Sequence, residues 1–151
     1  MEIRRAEPPD ADALTRIAFA AKGHWGYPER WQEGLIITPD FVRHSEVHVA
    51  AIEEEPAGFY ALLGERPKIE LEQLWVLPER MGLGRALFGH AVDRASALGA
   101  ETLGIEADPN AEGFYLRMGA TRVGEIVYEL DGRERVLPLL AVDLRARRPP
   151  G

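Results

Sequence analysis

The fold-deciding stretch begins with Ile-Glu-Leu-Glu-Gln-Leu-Trp-Val at 69–76 and continues past Pro78 to Gly82-Leu83-Gly84-Arg85. Residues 68–77 predict a β-strand, which Pro78 ends. Apolar residues at intervals of three and four then predict a helix over 85–98, which Gly99 ends. Glycines between a strand and a helix let an anion approach the free N–H groups at the positive end of the helix. The two glycines therefore indicate either an anion site or a tight structural turn, with equal support for both.

Two familiar phosphate-binding motifs do not fit this glycine turn. A dinucleotide-binding fingerprint requires a third glycine at position 87, where Leu87 stands. A P-loop requires Gly-Lys followed by Ser or Thr, which the stretch lacks. Both classes of nucleotide site are therefore excluded here.

The rest of the chain alternates between helix and strand patterns. Upstream, we expect a strand at Ile3 and two helices, over 11–21 and 29–35, with a loop at 22–28 between them. A turn at 39–44 and two strands, at 47–51 and 57–64, are expected to follow. Downstream, we expect a strand at 102–107, a helix at 108–118, and strands at 121–130 and 135–144 joined by Asp131-Gly132. The order β-α-α-β-β-β-α-β-α-β-β predicts an α/β (α+β) fold, a mixed sheet with helices on both faces. We expect one domain over 1–144 and a flexible tail over 145–151.

Length, composition and charge limit the classes of function. The 151 residues suit one domain, and the absence of cysteine excludes disulfides, thiolate metal sites and a cysteine nucleophile. A net charge of −7 argues against nucleic acid as the partner. No apolar run approaches the ~20 residues that span a bilayer, and the charged start lacks a signal-peptide core, so we expect a cytoplasmic protein without a membrane partner.

Three sequence motifs follow one another in a fixed order. They are Leu71-x-x-Leu74-x-Val76-x-Pro78, then Gly82-x-Gly84-x-x-Leu87, then Asp108-Pro109-Asn110-Ala111-x-x-Phe114-Tyr115-x-Arg117-x-Gly119-Ala120. As a set, these motifs resemble the GNAT superfamily of acyl-CoA-dependent N-acetyltransferases. The resemblance implies a mostly antiparallel sheet of about seven strands, acetyl-CoA as co-substrate, and direct transfer of the acetyl group to an amine acceptor. It leaves a homodimer open.

The same resemblance implies where the cofactor binds. The glycine turn would cradle the pyrophosphate, and a backbone N–H near Trp75 and Val76 would hold the oxyanion. The implied cofactor-binding residues are Leu74, Trp75, Val76, Arg80, Met81, Gly82, Leu83, Gly84, Arg85, Ala86, Asp108, Asn110 and Phe114. Glu79 stands where the family carries Gln or Arg, and the loop is about two residues short. This departure motivates an alternative, a non-catalytic acyl-CoA-binding or sensing module on the same fold.

Acetyl transfer requires a base for the ammonium proton and an acid for the departing thiolate. Glu70 and Glu72 lie on the strand before the glycine turn and are both candidate bases, although each could equally face water. Tyr115 matches the tyrosine acid of the family, and its alternative role is an aromatic anchor in the core.

Aromatic residues after the first helix lie where the family shapes its acceptor pocket. The candidate substrate-binding residues are His24, Trp25, Tyr27 and Trp31, with a hydrophobic lid as the alternative. His44 and His48 are predicted on different elements, so we expect no metal site. No Gly-x-Ser-x-Gly motif supports a hydrolase. Residues 1–75 carry 8 basic and 14 acidic residues, whereas residues 76–151 carry 10 and 11, so the acidity belongs to the expected acceptor half.

Overall fold

The alternating stretch at the centre of the sequence forms the fourth strand of a seven-stranded sheet. The computed structural model describes residues 1–27 and 35–147. The strand order is β1-β2-β3-β4-β5-β7-β6. The strands are β1 (Glu2–Arg5), β2 (Glu46–Ile52), β3 (Glu55–Glu65), β4 (Lys68–Val76), β5 (Thr102–Glu106), β6 (Thr121–Leu130) and β7 (Arg133–Asp143). The α-helices are α1 (Ala11–His24), α2 (Pro39–His44), α3 (Leu83–Ala97) and α4 (Glu112–Arg117).

The predicted fold class and element order are confirmed by this architecture. Strand β4 pairs in parallel with β5, from Lys68 opposite Thr102 to Leu71 opposite Ile105. The pairs β1–β2, β2–β3, β5–β7 and β6–β7 are antiparallel. Among the described helices, none is both long and apolar enough to cross a membrane.

The chain forms two compact units. The first comprises residues 1–63 and 73–91, and the second comprises residues 64–72 and the chain from Val92 onward. In the first unit, α1 packs its buried residues against Val47, Val49 and Phe59. The opposite face of the same strands carries His48 and Tyr60, whose rings contact His90 of α3. Helices therefore cover both faces of this part of the sheet, as a strand period of two requires.

The second unit is built on the parallel β4–β5 pair and the β6–β7 hairpin. Its core contains Leu103, Ile105, Leu140 and Val142, which share one face of the sheet by the strand register. The Asp131-Gly132 turn joins the two hairpin strands with positive φ angles of 55° and 74°. This confirms the predicted hairpin turn, because a tight turn of this kind needs positive φ at both central residues.

Helix boundaries differ from the sequence prediction in places that have a local cause. Helix α1 continues through 22–24, which the glycine pattern had assigned to a loop, because Gly26 and not Gly23 adopts the left-handed geometry that ends a helix. Helix α4 begins at Glu112 and not at 108. Asp108 instead forms a turn in which its Oδ1 accepts from the Asn110 N–H at 2.8 Å.

The remaining helix predictions have different outcomes. Residues 39–44 form α2, whose N-terminus is capped by Thr38, since Thr38 Oγ1 accepts from the Phe41 N–H at 3.0 Å. Helix α3 begins two residues earlier than predicted, at Leu83. The helix predicted over 29–35 lies almost wholly outside the described residues.

Candidate functional site

The glycine turn lies at the N-terminus of α3 in the first unit. Before it, Pro78–Arg80 form a short 3-10 helix, in which the Arg80 N–H donates to the Leu77 carbonyl at 2.8 Å. The Gly84 N–H donates to the Met81 carbonyl at 3.1 Å, so this buried glycine closes the turn and its N–H is not open to a ligand. In general, the first N–H groups of an α-helix have no acceptor within the helix and can donate to a ligand.

The surroundings of this turn are open and carry both signs of charge. A Cβ built at Gly82 meets no atom within 4 Å, so the backbone there is accessible. Arg80 and Arg85 are exposed on either side of Gly82, and Glu79 is exposed next to Arg80. Leu83 and Ala86 are half-buried and form the start of α3. The turn can therefore hold an anion by backbone amides and two guanidinium groups, with one carboxylate opposing it.

The end of β4 leads into this turn. Leu74, Trp75 and Val76 are half-buried, and the Leu77 N–H donates to the Ala57 carbonyl of β3 at 2.9 Å. Gly58 of β3 lies so close to β4 that a built Cβ would stand 3.1 Å from the Trp75 carbonyl oxygen. The predicted oxyanion contact with a backbone N–H near Trp75 remains a prediction.

An aromatic cluster connects the end of α1 with β4, all within the first unit. The rings of Trp25 and Trp75 have centroids 5.5 Å apart, and Tyr27 meets Trp25 edge-on at 6.4 Å. The Trp75 indole N–H donates to the Gln73 side-chain oxygen at 2.6 Å, which fixes the ring. Lys22 Nζ stands 5.5 Å from the Tyr27 ring centroid. The sequence separates these aromatic residues by about fifty positions, and only the fold brings them together.

The other two predicted acceptor residues have different positions. His24 is exposed in the last turn of α1. Trp31 lies outside the described residues.

The two candidate bases lie in the second unit, on the first part of β4. Glu70 is half-exposed, and its Oε1 lies 3.1 Å from Lys68 Nζ. The Glu70 carboxylate covers Gly104 of β5, where a built Cβ would meet Oε2 at 2.6 Å. Glu72 is exposed. Both candidates keep solvent access, so the choice between them stays open.

Helix α4 and the turn before it carry the remaining predicted residues. The side chains of Asp108 and Asn110 are joined, because Asn110 Nδ2 donates to Asp108 Oδ1 at 2.9 Å. Phe114 is half-buried, and its ring centroid lies 5.3 Å from that of Tyr115. Tyr115 is buried. Burial, followed by the charge of Asp108, raises the pKa of the Tyr115 phenol.

A buried polar cluster in the first unit was not predicted from the sequence. The His48 Nε2–H donates to Glu46 Oε2 at 2.6 Å, and the His48 ring stacks on Tyr60 at 5.1 Å. The Tyr60 hydroxyl and His90 Nδ1 share a hydrogen bond of 2.7 Å. Desolvation lowers the pKa of His48 despite the opposing effect of Glu46. The only sequence signal was a histidine inside an apolar strand, and its two ring partners lie 12 and 42 residues away.

The structure places His44 on α2 and His48 on β2, which confirms that the two histidines lie on different elements. Within residues 1–27 and 35–147, no group of three His, Asp or Glu side chains is arranged to hold a metal ion.

Comparison with known proteins gives a consistent result over most of the chain. Residues 11–120 match the family model described as Acetyltransferase (GNAT) family. A GCN5-related N-acetyltransferase from Rhodopseudomonas palustris has a TM-score of 0.79 and 22% identity, with 95% of each chain covered. PaiA N-acetyltransferase from Thermoplasma acidophilum, in complex with coenzyme A, has a TM-score of 0.72 and 19% identity, covering 94% of this chain and 98% of that one.

A further structural match is YncA from Salmonella typhimurium, solved with its cofactor acetyl-CoA. It has a TM-score of 0.72 and 21% identity, covering 100% of this chain and 98% of that one. No curated protein sequence matches the chain at a significant level. At these identities, the structural matches show a shared fold.

Proposed function

Because the chain belongs to the GNAT acetyltransferase family, we propose that it transfers an acetyl group from acetyl-CoA to a primary amine of a small molecule or peptide. The observation that supports this most directly is the contact of Trp25 with Trp75. It joins the aromatic segment expected to bind the acceptor to the strand expected to hold the acetyl group. The acidic excess of residues 1–75 also favours a cationic acceptor.

The glycine turn has the chemistry that a pyrophosphate requires. The accessible backbone at Gly82 and the first-turn amides of α3 offer N–H donors, while Arg80 and Arg85 offer charge. Acetyl-CoA, when bound, supplies an acyl group already activated as a thioester. The protein's part is to orient that group, exclude water and move two protons.

The two proton transfers are assigned to side chains of the second unit. Glu70 or Glu72 accepts the ammonium proton, directly or through water, so that the amine can attack as a neutral nucleophile. Tyr115 donates its phenolic proton to the departing sulfur. Tyr115 is protonated at neutral pH, as a donor must be, and its raised pKa makes it a weaker acid than an exposed tyrosine.

The proposal is tested in two steps. Millimolar acetyl-CoA should raise the thermal midpoint of the purified protein, and release of free CoA should then be measured over a panel of amines, amino acids and peptides. Absence of any thermal shift would remove the basis of the proposal.

Once a productive amine is known, Trp25→Leu should raise the acceptor KM and leave the acetyl-CoA KM unchanged. The control is Tyr128→Leu, which changes an aromatic residue on β6.

A second candidate function rests on Glu79. This exposed carboxylate precedes Arg80 at the glycine turn and opposes a polyanion. It favours a non-catalytic module that binds or senses acyl-CoA weakly. Acetyl-CoA binding without CoA release over the whole panel would support this candidate, and one productive amine would exclude it. Glu79→Gln should tighten acetyl-CoA binding in either case.

A further inference from the structure

Near its end, β4 has a hydrogen bond between two of its own side chains. The Trp75 indole N–H donates to the Gln73 side-chain oxygen at 2.6 Å, and both residues are half-buried. An indole has this one polar donor, and of the two polar atoms of a glutamine side chain only the oxygen can accept. The bond therefore gives the Trp75 ring one preferred orientation.

The Trp75 ring also packs against the hydrophobic core of the first unit. The buried cluster on which it rests contains Val49 and Phe59 of the sheet and Leu14 of α1. A ring that is supported by a core and held by a hydrogen bond is preorganised, so binding a ligand does not have to order it. Gln73 thus provides the polar half of what fixes this ring.

The turn at the end of α1 places two more rings beside Trp75. The Gly26 N–H donates to the Gly23 carbonyl at 2.9 Å, and Gly26 has a φ of 81°, which glycine adopts readily. The Trp25 ring, just before this turn, lies 5.5 Å from the Trp75 ring at an angle of 48°. Tyr27, just after it, meets Trp25 edge-on. The turn and β4 thus build one aromatic cluster of Trp25, Tyr27 and Trp75.

The two ends of the aromatic cluster differ in what they offer a ligand. All three residues are half-buried, so the cluster keeps some exposed surface. Lys22 Nζ lies 5.5 Å from the Tyr27 ring centroid, and its positive charge repels a ligand cation at that end. The indoles of Trp25 and Trp75 form the other end. Their tilted rings offer apolar surface on which a flat group can pack.

We propose that Gln73 is a positioning residue for the acceptor, and that the acceptor is a primary amine attached to a flat apolar group, as in an arylalkylamine. Gln73 acts through Trp75, because its side-chain oxygen holds the indole in the orientation in which Trp25 and Trp75 together accept the flat group. This inference rests on the proposed acetyl transfer. It adds the chemical class of the acceptor and a residue outside the rings that determines its selection.

The first test needs no substrate and follows the orientation of the indoles. Two indoles in contact couple their absorption transitions, which gives the circular dichroism spectrum a paired band. The chain has three tryptophans, so the measurement uses a Trp31→Phe background that leaves only Trp25 and Trp75. Gln73→Leu should lose this band, whereas Gln73→Glu should keep it, because a carboxylate oxygen still accepts from the indole N–H. A band that persists in Gln73→Leu would overturn the positioning role.

The second test is kinetic and uses two amines of similar size, phenethylamine and cyclohexylethylamine, of which only the first is flat. The parent protein should have the lower KM for phenethylamine. Gln73→Leu should raise that KM about three- to tenfold and leave kcat and the acetyl-CoA KM unchanged, because only acceptor binding uses the indole orientation. Gln73→Glu should not raise it. An equal KM for both amines in the parent would overturn the acceptor class.

The matched control removes the donor of the hydrogen bond and keeps an aromatic ring. Trp75→Phe lacks the indole N–H, so adding Gln73→Leu to it should have no further effect on the phenethylamine KM. A second loss as large as in the parent would mean that Gln73 acts by another route and would overturn the proposal. The thermal midpoint of each variant verifies that it is folded.

Failure of the acetyl transfer itself would give a different result. If no amine releases CoA, binding of phenethylamine is measured at equilibrium by the change in tryptophan fluorescence, with cyclohexylethylamine as the control. Saturable binding that Gln73→Leu weakens about three- to tenfold and Gln73→Glu preserves would support the positioning role without any turnover. Absence of saturable phenethylamine binding in the parent protein would overturn the acceptor class.

Discussion

Burial of Tyr115 has two opposite consequences for its proposed role as an acid. A buried phenol whose pKa is raised is a weaker acid than tyrosine in water, yet it is fully protonated at neutral pH. The thiolate of a thiol with a pKa of about 8.5 is a modest base. A hydrogen bond from Tyr115 that strengthens as the sulfur departs would therefore be enough for catalysis. The alternative role of Tyr115, an anchor for α4, predicts a loss of stability and not of rate.

The variant Tyr115→Phe distinguishes these two roles. As an acid, Tyr115 contributes to kcat, and its loss should reduce kcat by about tenfold or more with little change in the acetyl-CoA KM. Steady-state kinetics with a productive amine measure both constants, and Tyr128→Phe serves as the control for loss of a hydroxyl. An unchanged kcat with a lower thermal midpoint would assign Tyr115 to packing alone.

His48 is the second residue whose environment has a measurable consequence, which is the pH dependence of stability. The groups facing it are Glu46 on its own strand, Arg5 on β1, Tyr60 on β3 and His90 on α3. Desolvation favours the neutral ring, and a proton on it would lie close to Arg5 and to His90. The folded protein therefore binds this proton less readily than the unfolded chain does.

We expect the free energy of unfolding to decrease as the pH falls below about 6.5, the pKa of histidine in an unfolded chain. The contribution of His48 to the free energy of unfolding is present in full above that pH. It is lost as the pH falls toward the lower pKa that His48 has in the folded state. One proton contributes at most about 1.4 kcal/mol per pH unit. Urea unfolding between pH 8 and pH 5 should show a smaller slope for His48→Gln than for the parent protein. An exposed histidine on α2 provides the control for the loss of a histidine, in the variant His44→Gln.

At the scale of elements, glycines define how closely β3, β4 and α3 approach. Gly58 of β3 lies under α3, where a built Cβ would be 2.9 Å from Leu87 Cδ1 and 3.1 Å from the Trp75 carbonyl oxygen. Gly89 of α3 has no atom within 4 Å of such a Cβ. The two glycines thus have different roles, since one permits close packing and the other only lowers helix propensity.

Alanine substitution should separate these roles. Gly58→Ala should destabilise the protein by about 1–3 kcal/mol, because the buried Leu87 and a β4 carbonyl must move. Gly89→Ala should stabilise it by about 0.5–1 kcal/mol through helix propensity. Chemical denaturation measures both changes. Equal effects of the two substitutions would contradict this account of the β3–α3 contact.

The ends of elements show what local sequence could and could not predict. The strand at 68–76, the turn at Asp131-Gly132 and the cap of α2 at Thr38 follow from local patterns that act within a few residues. The early end predicted for α1 was wrong because Gly23 resembles a stop signal, while the helix is held by buried residues before it. The early start predicted for α4 was wrong because the Asp108 side chain bonds its own loop.

At the scale of the whole molecule, charge is distributed unevenly along the chain. Residues 1–75 carry six of the seven net negative charges, and residues 76–151 carry one. A polyanionic co-substrate and a cationic acceptor would thus meet different fields.

We expect this distribution to make the KM of a cationic acceptor sensitive to salt. Raising ionic strength from 0.01 M to 1 M shortens the screening length from about 30 Å to about 3 Å, so the KM of a cationic amine should rise. The measurement is the acceptor KM at several salt concentrations, with a neutral nucleophile of similar size as control. A KM that does not change with salt would contradict steering by the acidic half.

The sequence by itself determined the strand–turn–helix unit, the order of elements and the family, because alternation, glycine spacing and ordered motifs are local properties of the chain. Only the tertiary structure decided which distant side chains meet. It brought Trp25 into contact with Trp75, enclosed His48 with Tyr60 and His90, and left Val123 and Val127 of β6 exposed. These contacts depend on strand register and helix packing across long separations in sequence, which no local pattern encodes.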